Sequence, residues 1–130
     1  MSGLIELVSK IVFDSAVMIE RDDIAREVEE YIRNNLSCDL TVSALCKRFF
    51  ISKNSLYNLF SETFGTTVNN YVTARRLERA RELILEGKSI GYAAEEVGIE
   101  NYKYFSRLFK KSEGVSPTDY RKKYKNVNCS

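Results

Sequence analysis

The sequence predicts an all-α fold of about seven helices plus an extra one at the amino end, and three features carry the prediction. From residue 20 onward apolar side chains recur at intervals of three and four, with no alternating strand pattern. The 130 residues include a single proline, so long helical runs go uninterrupted. One block, a short helix, a tight turn and a second helix, occurs twice. With 44% hydrophobic residues, a chain of this length can bury the core of one domain without metals or disulfides.

Residues 1–21 are read as an amino-terminal helix. The stretch "GLIELVSKIVFDSAVMI" is apolar, but Glu6, Lys10 and Asp14 interrupt it, and a membrane-spanning helix needs about 20 mostly apolar residues. No basic run precedes it and no small-residue cleavage site follows, so it is a poor secretory signal. Leu4, Ile5, Leu7, Val8, Ile11 and Val12 form one helical face, suited to packing on the domain or on a second copy.

The next helix lies in "RDDIAREVEEYIRNNL", opened by capping aspartates, with Ile24, Val28, Tyr31 and Ile32 on one side. Thr41 then starts a short helix with Val42, Leu45, Cys46 and Phe49 inward. Ser52 caps another that runs to Gly65, with Leu56, Leu59 and Phe60 inward, completing a first helix-turn-helix over about 41–65. A long helix follows over about 67–86, ended by Gly87, whose stripe is Tyr71, Val72, Leu77, Ala80, Leu83 and Ile84. Of its four arginines, one is expected to pair at the core edge and the others to serve Glu78 and Glu82. A second helix-turn-helix occupies about 89–114. Ser116-Pro117, a capping residue followed by a first-turn proline, starts the last helix, and 126–130 is a tail.

The repeat is the informative feature. Thr41, Val42, Cys46 and Ile51 match Ser89, Ile90, Ala94 and Ile99 at an offset of 48. Leu56, Leu59, Phe60, Gly65 and Tyr71 match Phe105, Leu108, Phe109, Gly114 and Tyr120 at an offset of 49, so one residue is inserted in the second turn. With Phe105, Leu108 and Phe109 inward, the outward arc of the later helix holds Lys103, Arg107 and Lys110. The same arc in the first copy holds Asn54, Asn58 and Ser61. Asparagine and arginine can bond bidentately to adenine and guanine edges. Any amphipathic helix exposes such residues, so a solvated surface competes with a reading surface at this point.

Composition narrows the chemistry. The chain has no histidine, which removes the commonest general base and metal ligand and makes an enzyme the unlikelier class. Cys38, Cys46 and Cys129 are odd in number and widely spaced, which fits reduced thiols, with Cys46 as core filling. Residues 101–125 hold eight Lys or Arg against Glu113 and Asp119, a local +6; since the chain totals +2, the remainder carries −4. A phosphate-binding face has this footprint, as would a basic tail in solution.

These residues resemble the DNA-binding domain of the AraC/XylS transcription regulators. The likeness covers about Asp22 to Lys125 and is most specific in "GIENYKYFSRLFKKSEGVSPTDYR". There Gly98, Phe105, Ser106, Arg107, Phe109, Lys110, Gly114, Ser116, Pro117, Tyr120 and Arg121 follow the family's second helix-turn-helix and closing motif. "YVTARRLERARELI" resembles its linker helix and "ISKNSLYNLFSETFG" its first recognition helix. The resemblance implies a domain over 22–125 whose two modules read successive major grooves of promoter DNA and regulate transcription in the bacterial cytoplasm. RNA polymerase would be a further partner, a sensor or receiver domain would lie upstream of residues 1–21, and no cofactor, metal or membrane is called for. It implies base contacts from Asn54, Ser55, Tyr57 and Asn58 in the first module and Tyr102, Lys103, Tyr104, Ser106 and Arg107 in the second, with Ser55 and Tyr104 at the edges. Phosphates would fall to Lys53, Lys110, Lys111, Arg121 and backbone N–H groups at helix starts. Independently, a linker of about 20 residues is roughly 30 Å long, close to the roughly 34 Å of one DNA turn.

Three departures from the family pattern stand out. Ser61 and Glu62 follow the first module's Phe60 where cations are frequent, Phe50 occupies the turn position matched by Gly98, and Ala93 replaces a bulkier aliphatic. A stand-alone small regulator is the competing version of this reading. From another class, the rival is a helical adaptor whose basic face meets an acidic protein.

Overall fold

The computed structural model describes residues 23–128, and every regular element in that span is helical. The expected amino-terminal helix over 1–21 and the Asp22 cap lie outside the described residues. The first helix, α1, is described over residues 23–34 and buries Ala25, Val28 and Ile32. Then follow α2 (Val42–Phe49), α3 (Lys53–Phe64), α4 (Val68–Leu85), α5 (Ile90–Glu96), α6 (Tyr102–Glu113) and α7 (Pro117–Asn128). These bounds sit within a residue or two of those read from caps and periodicity.

The starts are where hydroxyl side chains place them. Thr41, Ser52, Thr67 and Ser89 each hold an extended backbone and accept a hydrogen bond from the N–H three residues on. That satisfies one of the donors a helix start leaves unpaired. Ser116 does the same for Asp119 N–H at 3.2 Å, with Pro117 as the first helical residue. At the far end of α4, Gly87 (φ 95°) turns the chain so that Lys88 N–H donates to Leu83 O and Gly87 N–H to Ile84 O, the paired closure that a left-handed residue permits.

Among the described residues two hydrophobic clusters form, and α4 belongs to both. Its first half puts Val68, Tyr71 and Val72 among Val28, Ile32, Leu40, Leu45, Leu56 and Phe60. Its second half puts Leu77, Ala80, Leu83 and Ile84 among Ala93, Ala94, Val97, Ile99, Phe105, Phe109 and Tyr120. Cys46 is half-buried against the first cluster, in keeping with core filling, while Cys38 is an exposed free thiol. Ala93 is fully buried, so the second cluster closes around the smaller side chain.

The four arginines of α4 divide differently from expectation. Arg75 and Arg79 pair with Glu78 and Glu82 along the helix. Two others, not one, leave it. Arg81 pairs with Glu113 at the end of α6. Arg76 reaches back to the loop after α1, its Nε donating to Leu36 O and its Nη2 to Cys38 O, both at 3.0 Å. Burial pushes that guanidinium's pKa down against the opposing pull of Asp39, whose own carboxyl is lowered by hydrogen bonds from Thr41. The loop also abuts Gly98 of the second module, where an added Cβ would lie 2.6 Å from Leu36 O. The two halves therefore meet at a junction of Arg76, the Leu36–Cys38 backbone and Gly98.

Phe50 and Gly98 do the same conformational work. Each follows a short helix in the left-handed region, at φ 55° and 83° respectively. In both copies the next residue's N–H closes on the helix, Ile51 on Cys46 O and Ile99 on Ala94 O. Phenylalanine pays strain of about 1–2 kcal/mol there that glycine avoids, and at 94% exposure it gains no packing in return. Phe50→Gly is accordingly expected to raise the melting temperature by a few degrees, the strain relief being offset by roughly 0.4–1 kcal/mol of added unfolded-chain entropy. Gly98→Ala, by contrast, is expected to cost more than about 2 kcal/mol, because it adds positive-φ strain to a backbone clash. Thermal melts of the two variants check both; a drop for Phe50→Gly would mean that the ring packs in solution.

Candidate nucleic-acid interface

Two twelve-residue helices present the residues singled out in the sequence. In α3, Leu56 and Phe60 are fully buried and Leu59 nearly so, which holds the opposite side outward. In α6, Phe105 and Phe109 are fully buried, Leu108 packs against the same cluster, and Phe109 meets Tyr120 edge-on at 5.2 Å between ring centroids. These rings are core and not a stacking platform. Both helices end on a left-handed glycine, Gly65 or Gly114, so their surfaces correspond residue for residue at an offset of 49.

The outward residues are where the helical wheel puts them. Lys53, Asn54, Ser55, Tyr57 and Asn58 are exposed on α3, and Tyr102, Lys103, Tyr104 and Arg107 on α6, with Ser106 half-buried. Tyr102, Lys103, Ser106 and Arg107 line one shallow surface depression together. Tyr104 turns elsewhere, lining the cleft between the modules with Asn69, Thr73, Arg76 and Gly98. Ser55 is committed locally: its hydroxyl oxygen accepts from Ser52 Oγ at 2.9 Å, and its N–H donates to the same Ser52 oxygen at 3.1 Å. Tyr57 and Tyr102 are about half exposed, with rings available rather than sealed at a domain rim.

The cations assigned to phosphates differ in freedom. Lys53, Lys110 and Lys111 are exposed. Lys110 and Lys111 also sit in the last turn of α6, where the helix dipole favours positive charge whether or not a phosphate is present. Arg121 is half-buried, and its Nε and Nη2 are covered without a protein partner. It is thus less free to reach outward than the lysines.

Reading the sequence missed the residue that starts α6. Asn101 takes the capping position, its Oδ1 accepting from Tyr104 N–H at 3.0 Å. Lying in the polar run Glu100–Lys103, it gave no contrast to mark it, although its place one residue before a helix matched to Ser52's could have done so. It fixes the first turn, which carries Tyr102 and Lys103. The long reaches of Arg76 and Arg81 were likewise invisible, since their partners lie dozens of residues away.

Comparison with known proteins places this geometry. The sequence pattern of the helix-turn-helix domain family matches residues 45–123, more than half of the chain. A curated relative, the uncharacterized HTH-type transcriptional regulator YdiP of Escherichia coli K12, is 30% identical over 109 residues, covering 83% of this chain and 36% of its own length. The C-terminal domain of AraT, a response regulator from Geobacillus stearothermophilus, superposes with a TM-score of 0.74 at 34% identity, over 77% of this chain and 84% of that one. A structure described as a "probable AraC family transcriptional regulator" from Rhodopseudomonas palustris gives 0.67 at 25%, over 78% and 96%. The chain spans about a third of the length of the curated relatives it matches.

Replacing the cap tests how α6 is held. Asn101→Ala is expected to lower stability by about 1 kcal/mol and Asn101→Asp to preserve it, as read by thermal or denaturant unfolding. Equal losses for both would show that capping is not what Asn101 contributes.

Proposed function

The chain belongs to the AraC-type helix-turn-helix family of DNA-binding transcription regulators, and on that footing we propose that one copy reads two successive major grooves on one face of promoter DNA. The observation that carries the reading is the pair of matched helices, α3 and α6, each with a buried apolar side and an exposed polar one, mounted on a single rod. At 18 residues α4 is roughly 27 Å long, and adjacent major grooves on one face recur at roughly 34–36 Å. The helix bodies extend the reach beyond the rod itself.

In this reading Asn54, Tyr57 and Asn58 face the bases in one groove, and Tyr102, Lys103, Ser106 and Arg107 those in the next. Asn58 suits an adenine edge and Arg107 a guanine edge. Ser55 and Tyr104 act at the margins, Ser55 chiefly as part of the α3 start. Lys53, Lys110, Lys111 and, less freely, Arg121 position the protein on phosphates. The domain runs over 22–125, with residues 1–21 leading in from a sensor or receiver domain. Support for that comes from AraT, a response regulator whose C-terminal domain this chain resembles, and from the fraction of its relatives that the chain spans. RNA polymerase is the partner through which such a domain would act on transcription.

Arg107→Ala and Asn58→Ala are each expected to relax preference at a different base pair, about one helical turn apart, at a cost of roughly 1–3 kcal/mol on the preferred site. Selection of bound sequences from random duplexes, repeated with each variant, reads this out. Relaxation of the same base pair by both variants would break the two-groove reading. Binding that does not discriminate among duplexes at any salt concentration would favour the adaptor reading instead.

A further inference from the structure

Because α3 and α6 have the same length and the same glycine closure, their surfaces can be compared position by position. Every cation on α6 meets a neutral or acidic residue on α3: Lys103 matches Asn54, Arg107 matches Asn58, Lys110 matches Ser61 and Lys111 matches Glu62. All eight are exposed. Glu113, the one acidic residue of α6, is turned aside into its pair with Arg81. On α3 Lys53 is the only cation, and it lies at the start. Beside the end of α6, α7 adds exposed Lys122 and Lys123.

The reverse contrast holds at the ends of the preceding helices, where Lys47 and Arg48 match Glu95 and Glu96. Arg48 belongs to another flank. The Arg48 guanidinium lies 4.2 Å from the centre of the Tyr31 ring of α1, the helix that also carries Glu27, Glu29 and Glu30. Between the two matched helices, four cations on α6 stand against Lys53 alone on α3.

We propose that the two modules enter binding in order: α6 captures duplex of any sequence first, its four cations supplying the encounter before Lys103 and Arg107 settle on bases, and α3, which adds almost no charge, engages afterwards and acts only on how long the complex stays. The inference rests on the duplex-binding reading above. Its physical basis is that cations at phosphates supply sequence-independent attraction and speed encounter. Neutral side chains such as Asn54 and Asn58 add nothing to encounter, and act only when seated on base edges, where they govern dissociation. The acidic remainder of the chain, −4 outside residues 101–125, orients the molecule so that the second module leads.

The test is stopped-flow association and dissociation on a fluorescent duplex, carrying either the selected site or its scramble, across a range of salt. An equilibrium titration of the unaltered protein comes first; failure to bind any duplex there would overturn the reading beneath this one and this one with it. Lys110→Ala and Lys111→Ala are each expected to slow association about 2- to 5-fold on both duplexes and to flatten its salt dependence, with dissociation from the selected site nearly unchanged. Asn58→Ala should leave association level and speed dissociation from the selected site about 5- to 100-fold. Ser61→Lys, which puts a cation at the position matched to Lys110, should speed association about 2-fold on both duplexes, and Lys47→Ala should leave it unchanged. All substitutions are at exposed positions, and melting curves confirm folding. Asn58→Ala and Lys110→Ala altering the same rate constant, or Lys47→Ala slowing association as much as Lys111→Ala, would overturn this order of binding.

Discussion

One helix built into two cores is the constraint on which everything else in this molecule depends. The first half of α4 cannot leave the cluster of Val28, Ile32 and Phe60, nor its second half that of Phe105 and Phe109, without exposing several large side chains. Each such side chain is worth about 1.5–3 kcal/mol of burial. A joint of that strength does not swivel. Near its middle, Arg76 ties the rod to the Leu36 and Cys38 carbonyls, and Gly98 lets the same loop approach the second module more closely than any side chain would allow. Rotation about α4 would have to break charge-assisted hydrogen bonds, worth about 1.5–3 kcal/mol each, and separate a fitted backbone contact.

The repeat separates what holds the modules from what they present. Capping residue, buried aromatic or leucine, and closing glycine recur in α3 and α6, so both helices turn corresponding sides to their cores. Between those fixed points, four exposed positions differ in charge from one copy to the other. Such changes cost little in stability, since exposed substitutions away from caps and cores usually fall within about 0.5 kcal/mol. One scaffold can thus carry two surfaces of different chemistry. Phe50 is the exception, a place where the two copies solve one backbone problem with unequal ease.

Much of the fold was legible because its signals are local. Serine or threonine before a run of periodic apolar residues marks a helix start, and Thr41, Ser52, Thr67, Ser89 and Ser116 all do so. The exposed polar sides of α3 and α6 followed from the buried ones by helical geometry alone. Part of what stayed hidden depends on side chains meeting across the fold. Nothing in "ARRLERAR" tells Arg76, which bonds to carbonyls 38 and 40 residues away, from Arg75, which pairs three residues along its own helix. The bond between Ser52 and Ser55, although local, was unmarked too, because it leaves the place of Ser55 on the wheel unchanged. Asn101 was hidden by polar neighbours on both sides.

The proposal that α4 fixes how far apart α3 and α6 sit on DNA is tested most directly by affinity against the number of base pairs separating the two boxes of a selected site. A rod locked into both cores predicts one sharp optimum near one helical turn, with insertion or deletion of a single base pair sending affinity toward that of either box alone. A plateau across several spacings would contradict it, since the modules would then be adjusting their separation independently of the helix that joins them.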